Sequence, residues 1–196
     1  MKIRMIYLAA GNSRRFGSNK LYYEMKNKPM FQYGMDTLFQ VLERCEDTTL
    51  TVVTEYPAVG EYARKQQNIW KDRIFVTGSP DREKGISYSI RAVIANPDAD
   101  YYLFCVADQP WIRAETVLQL IYKTVEGGFA GGYVEWNGRS GNPTIFSKDL
   151  LPILLTLEGD TGGKRILLRR KDVCAVSARE QKELEDVDKS ERINEI

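Results

Sequence analysis

The chain has no histidine among its 196 residues. That excludes Ser-His and Cys-His nucleophilic pairs and imidazole metal sites within it. Acid–base work therefore falls to carboxylates, Lys or Tyr, or is not needed. Cysteine is scarce, and Cys45, Cys105 and Cys174 stand far apart beside apolar residues. An odd number without CxxC spacing argues against both a disulfide framework and a structural zinc site, leaving buried free thiols. No apolar run approaches 18 residues and no secretory h-region opens the chain, so the expectation is a cytoplasmic protein with no membrane association. An excess of either charge is also missing. The 28 basic and 27 acidic residues leave a formal +1, which gives no basis for general nucleic-acid affinity. Any basic patch must be local.

What is present begins with an apolar run, Ile3 to Leu8, short and rich enough in branched and aromatic residues to be a buried strand. It leads into Leu8-Ala9-Ala10-Gly11-Asn12-Ser13-Arg14-Arg15-Phe16-Gly17-Ser18-Asn19-Lys20. Small residues at Ala9, Ala10 and Gly11 admit a ligand close to the backbone, and loop N–H groups can converge on phosphate oxygens. Arg15 and Lys20 then neutralise charge, Arg by bidentate geometry and Lys as a point charge. The loop is neither the Walker pattern nor the three-glycine dinucleotide pattern. Taken alone it reads equally as a surface turn.

Strands and helices alternate through the first two-thirds of the chain. Pro29 opens a helix to about Glu43, with Met30, Gly34, Leu38, Val41 and Leu42 on one face. A strand at about Leu50–Thr54, a helix from Pro57 to Gln67 and a strand at Arg73–Thr77 follow. Ile86, Ile90, Val93 and Ile94 mark another helix, Tyr101–Val106 a strand covered on both faces, and Val117–Val125 a further helix. This argues for a parallel α/β sheet with right-handed crossovers. Past Gly127 the Asn137-Gly138 turn signal and Pro143 predict short strands and a hairpin through about Phe146. Helical stretches at Lys148–Leu157 and Gly163–Arg169 and a strand at Asp172–Val176 complete the expectation. We read one domain over 1–196.

Asp108 is the second anchor. It stands just past the Tyr101–Val106 strand, before Gln109 and Pro110. Ligands of open α/β sheets bind outside the carboxyl ends of strands, which suits a carboxylate that holds Mg²⁺ against phosphates; a strand-ending turn is the alternative. Gly85-Ile86-Ser87-Tyr88-Ser89 opens a helix and offers donors to an anionic or polar ligand, or simply caps it. Gly141-Asn142-Pro143 and Gly159-Asp160-Thr161-Gly162-Gly163-Lys164 are further loops, and Asp186-Val187-Asp188 offers a late carboxylate.

In order, LAAGNSRRFGSNK, GISYSIRA, VADQPW, SGNPTIF, GDTGGK and DVDKSERI resemble the motifs of MobA-like nucleotidyltransferases, over essentially the whole chain. The resemblance is closest to the molybdenum cofactor cytidylyltransferase branch, with its xanthine dehydrogenase accessory relatives. It implies a three-layer Rossmann-like α/β fold, with a mostly parallel central sheet and an irregular C-terminal half, and a division into a nucleotide-binding half at about 1–110 and an acceptor-binding half at about 111–196. It implies transfer of CMP from CTP to the terminal phosphate of molybdopterin, with pyrophosphate released and the product passed to a molybdenum hydroxylase. The LAAG form, rather than LAGG, goes with a pyrimidine nucleotide as a family correlation.

By the same matching, Arg15, Lys20 and Asp108 are catalytic. Leu8, Ala9, Ala10, Gly11, Ser13, Arg14, Lys20, Gly85 and Ser89 bind the nucleotide. Gln109, Pro110, Asn142, Asp160, Gly162 and Lys164 face the acceptor, and Asp108 with Asp188 holds Mg²⁺ or Mn²⁺. Two positions depart from the pattern, both in the acceptor half: Asn142 stands where many members have His, and Gly163-Lys164 where an Arg is common. A sugar or alditol phosphate acceptor and a non-catalytic cofactor chaperone are the competing readings.

Overall fold

The computed structural model describes residues 1–11 and 19–187. In chain order the elements are β1 (Ile3–Leu8), β2 (Glu24–Met25), β3 (Lys28–Pro29), α1 (Met30–Arg44), β4 (Thr48–Val53), α2 (Pro57–Trp70) and β5 (Ile74–Thr77). Then come α3 (Ile86–Ile94), β6 (Tyr101–Val106), α4 (Ala114–Glu126), β7 (Gly131–Trp136), β8 (Arg139–Ser147), α5 (Leu151–Leu154), α6 (Lys164–Leu167) and β9 (Val173–Ser177). Seven strands form one sheet in the order β5-β4-β1-β6-β8-β7-β9. β8 alone runs against its neighbours β6 and β7, so the sheet is mostly parallel. The fold is the three-layer α/β architecture expected.

Alternation along the central strands explains their continuous apolar runs. In β1, Ile3, Met5 and Tyr7 join the core under α1, α2 and α4, while Ile6 and Leu8 join the core under α3, α5 and α6. In β6, Tyr101, Leu103 and Cys105 face the first layer, and Tyr102 and Phe104 the second. Burial on both faces favours such runs; the exception in β1 is Arg4, which pairs with Asp98. The helices present one apolar stripe each. On α1 the expected face of Met30, Gly34, Leu38, Val41 and Leu42 is buried.

The C-terminal half extends the same sheet. β7 and β8 form the anticipated hairpin, with Asn137 and Gly138 both at positive φ (48° and 80°) as a tight twisted turn demands. β9 then pairs parallel to β7. The irregular part is the connection between β8 and β9, built from short helices and the glycine loop before Lys164. The two-residue β2–β3 pairing was not anticipated, because strands this short carry no periodicity.

Candidate active site

Register decides where the site lies. Leu8 at the end of β1 pairs with Val53 on one side and Val106 on the other, and Val53 pairs with Thr77. Four parallel strands therefore end level. The segments that leave them, Ala9-Ala10-Gly11, Thr54-Glu55-Tyr56, Gly78-Ser79 and Ala107-Asp108, share one edge, as the strand-end rule expects.

At that edge the ammonium of Lys20 donates to Asp108 Oδ2 at 2.8 Å. The first loop's cation and the strand-end carboxylate, 88 residues apart, are thus in contact, and both side chains are largely shielded. The start of the loop is fastened to the sheet. The Ala9 N–H donates to the Val53 carbonyl at 2.9 Å, and the Ala9 carbonyl accepts from the Thr54 hydroxyl at 3.0 Å. Ala9's N–H is therefore not among the donors open to a phosphate. Gly11 is exposed, and its carbonyl accepts from the Tyr56 hydroxyl at 2.6 Å. Thr54 and Tyr56 were missed in the sequence; their position just after a strand ending at the same edge was the available signal.

Beside this cluster lies a cleft of about 320 Å³, lined by Leu8, Ile86, Ile90, Phe104, Val106, Asn142, Thr144 and the loop Asp160–Arg165. It collects Leu8 from the expected nucleotide set and Asn142, Asp160, Gly162 and Lys164 from the expected acceptor set. Lys164 donates to the Ser140 carbonyl at 2.9 Å. Thr144 and Arg165 are added by the structure. Gly85 adopts φ +112°, and a Cβ there would stand 2.3 Å from the Gly159 carbonyl carbon, so only glycine fits this crossing. The Ser87 N–H donates to the Gly159 carbonyl at 3.2 Å. The start of α3 and the late glycine loop are thereby sewn together.

Ser89 is buried, and its hydroxyl shares a 2.6 Å hydrogen bond with that of Ser79. Ser79's N–H in turn donates to Glu55. Gln109 and Pro110 are buried rather than lining the cleft. Arg14, Arg15, Ser13 and Asp188 lie outside the described residues.

The thiols are free, as expected; Cys105 and Cys174 are buried, whereas Cys45, just past the end of α1, is only partly so. Burial pushes the Cys105 thiol far above its ordinary range and does the same to the Tyr7 phenol, whose hydroxyl donates to the Phe31 carbonyl at 2.7 Å. Neither group has a titrating role near neutrality.

A divalent cation fits this edge. No set of three His, Cys, Asp or Glu side chains gathers among the described residues, so a closed protein cage is absent there. A hard ion held by one or two carboxylates plus substrate phosphates needs none, and Asp108 is a carboxylate at this edge, ion-paired with Lys20. No helix of the described residues is long and apolar enough to cross a membrane.

The family described as the MobA-like NTP transferase domain matches residues 5–173. The chain belongs to that family. It is 26% identical to the purine catabolism protein PucB of Bacillus subtilis, over 97% of this chain and 94% of PucB. It is also 26% identical to a probable molybdenum cofactor guanylyltransferase of the same organism, over 91% of this chain and 84% of the relative. Among solved structures, Rv0371c of Mycobacterium tuberculosis H37Rv superposes with TM-score 0.73 at 20% identity, covering 100% of this chain and 97% of that one. A manganese complex of Rv0371c is similar at TM-score 0.65 and 20% identity, over 91% and 89% of the two chains. CMP:2-keto-3-deoxy-manno-octonic acid synthetase complexed with CTP superposes with TM-score 0.71 at 15% identity, over 100% and 96%. The chain is thus a nucleotidyltransferase of the MobA-like type, and its solved neighbours share its fold.

Proposed function

We propose that the protein transfers CMP from CTP to the terminal phosphate of a molybdopterin-type cofactor and releases pyrophosphate. The observation that carries the reading is the Lys20–Asp108 contact at the shared strand edge. Each partner marks where an opposite charge belongs: an anion at the lysine and a cation at the carboxylate. A metal-bound nucleoside triphosphate brings both.

An oxygen of the acceptor phosphate forms the new bond to the α-phosphorus, the α–β bridging bond breaks, and its electron pair leaves with pyrophosphate. The attacking phosphate is already ionised near neutral pH, so no general base is required, which suits a chain without histidine. The work left to the protein is positioning and charge neutralisation. Lys20, joined by Arg15 from the loop, binds the triphosphate and stabilises charge on the departing pyrophosphate. Asp108, with Asp188 as its proposed partner, would hold Mg²⁺ or Mn²⁺, which when bound neutralises phosphate charge. Ala10, Gly11 and Gly85 border the nucleotide, with buried Ser89, bonded to Ser79, supporting that wall from within, while Asn142, Asp160, Gly162 and Lys164 face the acceptor across the cleft.

The likeness to PucB, a purine catabolism protein, supports the xanthine dehydrogenase accessory branch, with a molybdenum hydroxylase as recipient. The LAAG sequence and the CTP-bound structural neighbour favour CTP. The B. subtilis guanylyltransferase relative favours GTP as a second reading. Pyrophosphate release with CTP, GTP, UTP and ATP, with and without molybdenum cofactor, separates them. CTP-selective release that requires the cofactor is the expected result. GTP selectivity moves the protein to the guanylyl branch, and release that needs no molybdopterin overturns the acceptor.

A further inference from the structure

Residues 181–187 form a strap bonded to the segment 108–113. The Val187 N–H donates to the Asp108 backbone carbonyl at 2.9 Å. Gln109, only 5% exposed, donates from Nε2 to Asp186 Oδ1 at 2.7 Å and to the Leu184 carbonyl at 3.4 Å. An amide nitrogen has two N–H bonds, and both are directed at the strap. Upstream, Glu183 is fully buried, and its carboxylate accepts the N–H groups of Arg113 at 3.2 Å and Arg179 at 2.8 Å. Downstream, Val187 is buried with Met25 and Met30 against Trp111. A buried carboxylate and a buried amide are costly unless satisfied. Here each is satisfied by joining the strap to the residues around Asp108.

We infer that Gln109 is a positioning residue for Asp108, acting through Asp186. Its amide holds the strap, the strap's Val187 N–H holds the Asp108 peptide, and the carboxylate stays aimed at the ion that accompanies the triphosphate. This gives Gln109 a task other than the acceptor contact that the family resemblance implies. The inference rests on the nucleotidyl-transfer reading and names a residue that serves it.

The test is Mn²⁺ binding to the full chain in the presence of a non-hydrolysable CTP analogue, followed by electron paramagnetic resonance. No acceptor is needed. Gln109→Glu, which sets a carboxylate against Asp186, is expected to raise the Mn²⁺ Kd by about tenfold or more, as loss of an outer partner of a metal ligand does. It should lower kcat more than it changes the KM for acceptor. Pairing Gln109→Glu with Asp186→Asn reverses donor and acceptor across that contact, though not across the one to the Leu184 carbonyl, and should recover part of the lost affinity. Should Gln109→Glu not fold, Asp186→Ala alone at this exposed position, which takes that acceptor from the Gln109 amide, should weaken Mn²⁺ binding by about threefold in a chain that still folds by circular dichroism. Wild-type Mn²⁺ affinity in the single variants, failure of the paired variant to recover, or a rise confined to the acceptor KM would overturn the inference. A wild-type chain that binds no Mn²⁺ with any nucleoside triphosphate analogue instead overturns the transfer reading itself.

Discussion

At the ends of β1, β4 and β6 the polar groups are matched by partners from other strands: Lys20 with Asp108, Thr54 with Ala9, Tyr56 with Gly11. Around the cleft, Asn142, Asp160 and Arg165 have no side-chain hydrogen bond or ion pair among the described residues. The first region is pre-built, with charges already held where a triphosphate and its ion would replace them. The second has unspent donors and acceptors on a wall of β8 and a glycine loop. Preorganised charge lowers the barrier to transfer because nothing must reorganise as charge develops. An open, adaptable wall suits recognition of a partner substrate. On this view substitutions in the first region reduce turnover, and those in the second reduce acceptor affinity.

The largest break in that contrast is Asp108→Asn. Asparagine keeps the shape and can still accept from Lys20, so the fold should survive while the charge for a cation is lost. Pyrophosphate release should fall about 10²–10³-fold, with acceptor binding retained by direct titration. Equal loss of both would mean that the two regions are one. Next is Gly85→Ala, at the seam where α3 meets the glycine loop. Its Cβ has no room beside Gly159, and φ there is +112°, so stability to urea should drop by about 1–3 kcal/mol. Both substrate affinities should weaken together, because the seam borders both sides.

How much of this was legible follows from which interactions are local. β1 and β6 could be read because burial on both faces leaves continuous apolar runs, and the β7–β8 turn because Asn137-Gly138 suits two successive positive φ values. Lys20 and Asp108 could be read because both follow predicted strands in an α/β pattern. The insertion of β8 between β6 and β7 could not, since strand order depends on pairing between segments with no sequence link. Glu183 was equally hidden. In the sequence it is one more acidic residue in a charged tail, and only the fold brings the Arg113 and Arg179 N–H groups to it. Family resemblance supplied the acceptor set as a group, yet it could not divide cleft-lining Asn142 from buried Gln109.

Two milder substitutions sharpen the comparison within the open region. Asn142→Ala removes a side chain that lines the cleft without an internal partner, so stability should hold. The acceptor KM should rise about three- to tenfold, near the worth of one hydrogen bond at about 0.5–1.5 kcal/mol, with the KM for the nucleotide unmoved. Arg165 and Lys164 are adjacent but differently engaged: Lys164 is tied to the Ser140 carbonyl, whereas Arg165 is exposed and unpaired among the described residues. Arg165→Gln should therefore change stability by less than about 0.5 kcal/mol. Its effect on an anionic acceptor should be electrostatic: a KM about twofold higher at low salt, converging on wild type near 1 M salt, where the screening length shrinks to about 3 Å. A salt-independent rise would show instead that the guanidinium makes a directed contact, and the loop would then belong with the pre-built side of the site.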